Sequence, residues 1–183
     1  CEQRHHGVVS CALGWACWKT YLGRPEANQV RQFAMSQLGI ALLAAGHNAN
    51  ALSVQEAQLS MIRRHGMPEI NILAVQANLA CTYRKLGRFE EALAMRRDIY
   101  SGRLKLHGKE HHATLLAANN YATSLTALER FEESRSLIRK TMPVARRVPG
   151  ENSELSLKIR WVFAKTLYVN DSATLDDIRE AVT

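Results

Sequence analysis

The sequence of 183 residues has few of the residues that interrupt helices, with four prolines and ten glycines. Because turns between strands depend on these two residues, their scarcity favours long helices over many short strands. No apolar run reaches the roughly 18 to 20 residues of a membrane-spanning helix. Aromatic residues make up only 7% of the chain, which argues against a surface that stacks on nucleic-acid bases.

Cysteine is also scarce, and its four residues follow no CxxC or zinc-finger spacing. Cys1, Cys11 and Cys17 lie near the start, and Cys81 lies far from them. This distribution favours free thiols in a reducing compartment. We therefore expect an intracellular, cytoplasmic protein, with organelle targeting left open because the chain begins at Cys1 and not at Met.

Motifs that carry catalytic chemistry are missing as well. The chain has no phosphate-binding glycine loop and no GxSxG, HExxH or EF-hand pattern. His107 and the pairs at 5–6 and 111–112 are the only clustered histidines. Adjacent side chains on a helix point about 100° apart, so each pair is poorly placed to bind one metal ion. We expect solvated histidines, no cofactor, no metal and no enzymatic activity.

What the chain does have is apolar residues, at 46%, with alanine and leucine prominent. That content allows a real core and indicates helices. The net charge of +7 indicates either an anionic partner or a solvated basic face.

The main signal is an internal repeat. Residues 78–92 and 120–134 match at Asn, Ala, Leu and Arg-Phe-Glu-Glu, with an offset of 42. Upstream, Gln37-Leu38-Gly39 aligns with Asn78-Leu79-Ala80 at an offset of 41, and downstream Phe163-Ala164 aligns with Tyr121-Ala122. Small residues recur where two helices of a unit should cross, namely at Gly39, Ala80, Ala122 and Ala164.

The repeat predicts units of two helices each. An apolar capping helix in residues 1–24 precedes units at 25–67, 68–109 and 110–151 and a partial unit at 152–183. Pro143 should kink or end the second helix of the third unit, because it lacks a backbone donor. The incomplete last unit indicates a fragment of a longer protein.

The pattern Leu-Gly/Ala, then an aromatic, then Leu-Gly-Arg-Phe-Glu-Glu-Ala-Leu has the spacing of the tetratricopeptide repeat. A unit of about 42 residues is longer than the usual 34. Its sequence pattern resembles that of the kinesin light chain type of tetratricopeptide repeat. The resemblance covers about residues 25–183. It implies an all-α fold, an α-solenoid of antiparallel helix pairs that forms a tetratricopeptide superhelix. The heptad coiled coil by which a kinesin light chain joins its motor is missing.

The resemblance also implies a peptide-binding groove on the first helix of each unit. Its residues fall at Gln37, Asn78 and Asn120, with Cys81, Arg84, Lys85, Asn119, Thr123, Lys158 and Lys165 on neighbouring turns. In the fourth unit Val162 replaces the asparagine. The predicted function is a scaffold or adaptor that binds an extended or acidic peptide, or that docks into a larger complex.

Two alternatives stay open. Basic pairs on the second helices could bind RNA or another anionic surface; they are Arg63-Arg64, Arg96-Arg97, Arg139-Lys140 and Arg146-Arg147. The chain could also be a non-catalytic part of a larger enzyme.

Overall fold

The computed structural model describes residues 2–26 and 28–168, with side chains from residue 7 onward. Within these ranges the chain is helical, with no strand. The helices are α1 (Glu2–Tyr21), α2 (Gln29–Ala44), α3 (Asn48–Arg64), α4 (Glu69–Lys85), α5 (Phe89–His107), α6 (His112–Ala127), α7 (Phe131–Arg147) and α8 (Glu154–Tyr168). The predicted all-α class is confirmed. Cys1, the side chains of His5 and His6, and the end of the predicted fourth unit lie outside the described residues.

The chain divides into two compact units, Cys1–Met95 and Arg96–Thr183. In the first, α1 packs on α2, α2 on α3 and α3 on α4, and α2 also touches α4. In the second, α6 packs on α7, α7 on α8, and α6 also touches α8. Both units therefore repeat one arrangement, in which each second helix lies between two first helices.

Left-handed residues end the helices and fix the tight turns. Gly87 has φ of 76°, which lets Arg88 N–H donate to the carbonyl of Tyr83 at 2.9 Å. The corresponding turn after α6 has Glu129 at φ of 59°, a conformation that favours glycine. The loop glycines Gly66, Gly108 and Gly150, which are each 42 residues apart, also have positive φ.

The core of the first unit lies on both faces of α3. Leu38 and Leu42 of α2 pack with Ala51, while Val75 and Leu79 of α4 form a second cluster on the other side. The predicted small residues fit tight crossings at Gly39, Ala80 and Ala122, all of which are buried. At Gly39 an added Cβ would lie 3.0 Å from Cγ of Gln55, so α2 and α3 approach closely there.

The alignment predicted for α8 is wrong by one residue. The pattern of burial in α8 follows that of α6 at an offset of 41, since Phe163 is fully buried like Ala122 and Ala164 is exposed like Thr123. Trp161 therefore takes the position of Asn120, and Val162, at 3% exposed, lies inside the core. Burying Phe163 in place of the smaller Ala164 removes more apolar surface from water, which decides the register.

Pro143 does not end α7, which continues to Arg147. The proline side chain is exposed on this helix.

A helix forms in residues 1–24, as α1, and two glycines bring it close to α2. A Cβ on Gly14 would lie 2.9 Å from Cβ of Ala41, and one on Gly7 would lie 2.9 Å from the carbonyl oxygen of Ala44. Large apolar side chains such as Val8 and Leu13 remain exposed on its other faces. Even so, none of the helices in the described ranges is long and apolar enough to cross a membrane.

Candidate peptide-binding surface

Each first helix carries a line of exposed or half-buried residues along one face, which we call the first-helix stripe. Its members are spaced four, three and four residues apart, as expected for one face of a helix with 3.6 residues per turn. The stripe comprises Phe33, Gln37, Ile40 and Ala44 on α2; Ala74, Asn78, Cys81 and Lys85 on α4; Leu116, Asn120, Thr123 and Ala127 on α6; and Leu157, Trp161, Ala164 and Tyr168 on α8.

Most of the predicted groove residues fall on this stripe. Those that do are Gln37, Asn78, Cys81, Lys85, Asn120 and Thr123. Arg84, Lys158 and Lys165 are exposed beside it. Asn119 differs, because it is only 7% exposed and its Oδ1 is buried without a hydrogen-bond partner among the described residues. The structure therefore removes Asn119 from the accessible surface.

A cleft of about 450 Å³ opens between α2 and α4 in the first unit. Phe33 and Ser36 line it from α2, and Asn71 and Ala74 line it from α4. None of its ten lining residues is ionisable, and four of them carry a side-chain amide. The cleft thus offers neutral hydrogen-bonding groups beside Phe33, which is 61% exposed.

Hydrogen bonds hold the floor of this cleft in place. Nε2 of the buried Gln58 donates to the carbonyl of Gln32 and to Oγ of Ser36, both at 2.8 Å. Gln32, also buried, donates from its Nε2 to the carbonyl of Glu26 at 2.7 Å. These bonds connect α3, α2 and the segment before α2, so the polar groups of the floor are fixed before any ligand arrives.

Gln37 lies in a different cleft from these residues. A space of about 360 Å³ between α1 and α2 is lined by Gln37 and Ile40 together with Leu13 and Cys17. The stripe of α2 therefore faces α4 in its first half and α1 in its second half.

Sequence reasoning missed the buried glutamines of the first unit. Gln55 and Gln58 lie on the inner face of α3, where the corresponding positions of α7 carry Ile138 and Thr141. The available signal was Gln58, an amide at a core position where the other units carry Ile99 and Thr141. Phe33 was also missed, since the register of the repeat alone does not show which apolar residues stay exposed.

In the second unit the stripe of α8 is bordered by lysines. Lys158 Nζ pairs with Glu154 at 2.6 Å, and this hydrogen bond lowers the pKa of the Glu154 carboxyl. Lys165 Nζ lies 5.5 Å from the ring centroid of Trp161, within cation–π range. On α6, the Thr123 hydroxyl donates to the carbonyl of Asn119 at 2.8 Å, which leaves its oxygen as an acceptor.

Of the histidines near α6, His107 and His111 make structural contacts, while His112 is exposed. The rings of His107 and His111 stack with centroids 4.4 Å apart, and Nδ1 of His111 accepts the N–H of Ala113 at 3.1 Å. Desolvation, then His111 and Arg103, lower the pKa of His107. Across the residues that the structure describes, no three His, Cys, Asp or Glu side chains come together as a metal site.

The comparisons with known proteins agree with this architecture. Residues 71–135 match the family model of the tetratricopeptide repeat. No curated protein matches the chain.

Two solved structures contain the nearly identical TPR-like repeats of a Podospora anserina protein named as a kinesin light chain, one of them a form with a single substitution. Each is 17% identical, with a TM-score of 0.77, and the match covers 99% of this chain and 90% of that one. BtubC (BKLC) from P. vanneervenii is 13% identical, with a TM-score of 0.66, covering 97% of this chain and 77% of that one. The predicted resemblance and the solenoid fold class are confirmed.

Proposed function

We propose that this tetratricopeptide solenoid is a scaffold that holds an extended peptide of another protein along the first-helix stripes of a single unit. Stacked helical repeats present extended surfaces of this kind, and they bind partners without any catalytic step. The observation that carries the proposal is the uncharged, amide-lined cleft between α2 and α4.

The chemistry of this cleft fits a peptide backbone. The amides of Gln29 and Asn71 each offer a donor and an acceptor, so they can pair with peptide N–H and C=O groups whatever the sequence. Phe33 adds an exposed apolar surface for one side chain of the peptide. Gln58 and Ser36 are already fixed by hydrogen bonds. These two side chains therefore lose little conformational entropy when the peptide binds.

Within each unit, charged residues at the edge of the stripes favour acidic side chains in a peptide bound to that unit. Arg84 and Lys85 are exposed at the end of α4, and Lys158 and Lys165 are exposed on α8. Charge-assisted hydrogen bonds to carboxylates would add to backbone pairing. We place the protein in the cytoplasm, where its half-buried Cys11, Cys17 and Cys81 stay reduced.

RNA binding through the second helices has weaker support. Arg64 pairs with Glu26, Arg147 pairs with Glu110, and Arg97 lies 3.3 Å from Asp98. Phosphate contact would have to displace these carboxylates. Binding to generic RNA that falls steeply with added salt would support this alternative over the scaffold.

A peptide-display selection against the folded chain tests the proposed function. Selected peptides should bind Asn78→Ala and Phe33→Ala about 10-fold more weakly, a loss of about 1.4 kcal/mol each. The matched controls are Asn50→Ala on α3 and Leu106→Ala on α5, because both residues are exposed away from the stripe. If the stripe variants bind as well as the controls, the stripe is not the peptide-binding surface.

A further inference from the structure

The side of α1 turned away from α2 presents large apolar side chains to solvent. Val8 is 67% exposed, Leu13 is 66% exposed and Trp15 is 42% exposed. Val9 and Leu22 are exposed on the same side of the helix. A patch of this size on a folded domain is typical of a surface that contacts another protein or a membrane.

These side chains form one continuous face, which we call the outer α1 face. With about 100° per residue, Val8, Trp15 and Leu22 fall within about 40° of one another and form one edge. Val9 and Leu13 form the other edge, about 100° to 140° round the helix from Val8. The face extends for about 21 Å along the helix axis. The exposed side chains between its edges are Ala12, Ala16, Lys19 and Thr20.

The charge on and beside the outer α1 face is basic. Lys19 is exposed within the face, and Arg24 is exposed just after the helix. No Asp or Glu occurs from residue 3 to residue 25. The first carboxylate after α1 belongs to Glu26, which pairs with Arg64 and His65. An anionic partner therefore complements this face.

The outer α1 face is available without any unfolding of the first unit. On its opposite side α1 packs on α2, where Cys11 and Trp18 contact the cluster of Leu38, Leu42 and Ala51. Gly7 and Gly14 allow the two helices to approach closely on that side. The helix can therefore bind a partner through its outer face while it stays docked on the solenoid.

We propose that the outer α1 face binds the surface of an anionic membrane, with α1 lying in the plane of the lipid headgroups. Helices at such an interface bury their apolar face about 5–10 Å deep, and tryptophan is favoured at that depth. The aliphatic part of Lys19 lies along the apolar face while its ammonium reaches the lipid phosphates. Arg24 meets further headgroups at the end of the helix. The first-helix stripes take no part in this contact.

The observations favour a membrane over a second copy of the chain. In a dimer formed through this face, Lys19 of each copy would be buried against a face that has no carboxylate, which is costly. The five large side chains expose only several hundred Å², whereas each partner of a stable interface buries roughly 800 Å². Anionic lipids supply a phosphate at every point along the helix.

Co-sedimentation of the whole chain with vesicles of equal parts phosphatidylcholine and phosphatidylserine tests the proposal. The wild type should bind, and brominated acyl chains should quench fluorescence that is absent in Trp15→Phe. Leu13→Gln should weaken binding at least 10-fold, because a large apolar side chain is lost from the face. Lys19→Gln should weaken binding about 5-fold, as expected for one cation near an anionic surface.

Matched controls carry the same changes at exposed positions elsewhere. Leu106→Gln on α5 and Lys140→Gln on α7 should bind the vesicles as the wild type does. Circular dichroism confirms that each variant keeps its helix content. Asn78→Ala and Phe33→Ala should also bind the vesicles normally, so failure of the peptide-binding surface and failure of this site are distinguishable.

Several results would overturn the proposal. One is a wild-type chain that does not co-sediment at low salt, and another is equal binding by Leu13→Gln. Equal binding to vesicles of phosphatidylcholine alone would remove the role of anionic lipid. A dimer seen by light scattering that Leu13→Gln dissociates, without any binding to vesicles, would assign the face to a second copy.

Discussion

The hydroxyl of Thr82 donates a hydrogen bond to Oε1 of Gln55 at 2.7 Å, and both side chains are fully buried. This bond joins α4 to α3 within the hydrophobic interface of the first unit. The same hydroxyl also lies 3.2 Å from the carbonyl of Asn78, while Nε2 of Gln55 has no partner among the described residues. Without this bond Thr82 would keep the Asn78 carbonyl as an acceptor, whereas Gln55 would have no hydrogen-bond partner among the described residues.

Substitutions at these two positions should have unequal effects. Thr82→Val leaves Oε1 of Gln55 buried without a donor, so we expect a loss of about 1–3 kcal/mol. Gln55→Met should be neutral or stabilising, because it removes an unpaired amide and Thr82 can donate fully to Asn78. Urea unfolding of both variants checks the difference, and a large loss in Gln55→Met would contradict it.

Docking of α1 should depend on the absence of a side chain at Gly14. In Gly14→Ala the new Cβ would lie 2.9 Å from Cβ of Ala41 and 3.2 Å from Cα of Leu38, so α1 must move away from α2. We expect a cost of about 1–3 kcal/mol, seen as faster hydrogen exchange throughout α1. Gly23→Ala is the matched control, because its Cβ would meet no atom within 4 Å; equal exchange in the two variants would show that the contact is unimportant.

The turn after α6 should be improved by glycine. Glu129 adopts φ of 59°, a left-handed conformation that costs a residue with a Cβ roughly 1–2 kcal/mol. Glu129→Gly should therefore stabilise the chain by about 1 kcal/mol after the entropic cost of glycine is included. The reciprocal change Gly87→Glu should destabilise the equivalent turn after α4. Thermal unfolding of both variants measures the two signs, and a stabilising Gly87→Glu would refute the explanation.

Acidification should destabilise the loop between α5 and α6. Because the pKa of His107 is lowered in the folded state, the unfolded chain takes up a proton first as the pH falls through about 6.5. His107 therefore lowers the free energy of unfolding below that pH and leaves it unchanged above it.

Melting temperatures between pH 8 and pH 5 measure this effect. His107→Gln should reduce the acid-induced decrease, whereas His47→Gln, an exposed histidine before α3, should not. An identical pH profile in the wild type and in His107→Gln would exclude the proposed contribution.

The sequence by itself determined the helices and the turns. Apolar spacing and the loop glycines act within a few residues of each other, so the 42-residue frame was enough to predict helix pairs and the kinesin-light-chain-like resemblance. It also located Asn78 and Asn120 at surface positions. The unit boundaries and the peptide groove itself stay predictions.

Only the tertiary structure decided which side chains each helix turns inward. Local pattern could not show that Phe163 is buried in preference to Ala164, that Asn119 is covered while Asn120 is not, or that Gln55 meets Thr82 inside the core. Each of these depends on the neighbouring helix, since a rotation of about 100° exchanges a buried residue for the next one in sequence. The burial of one large side chain against that neighbour fixed the rotation, and with it the exposure of Trp161.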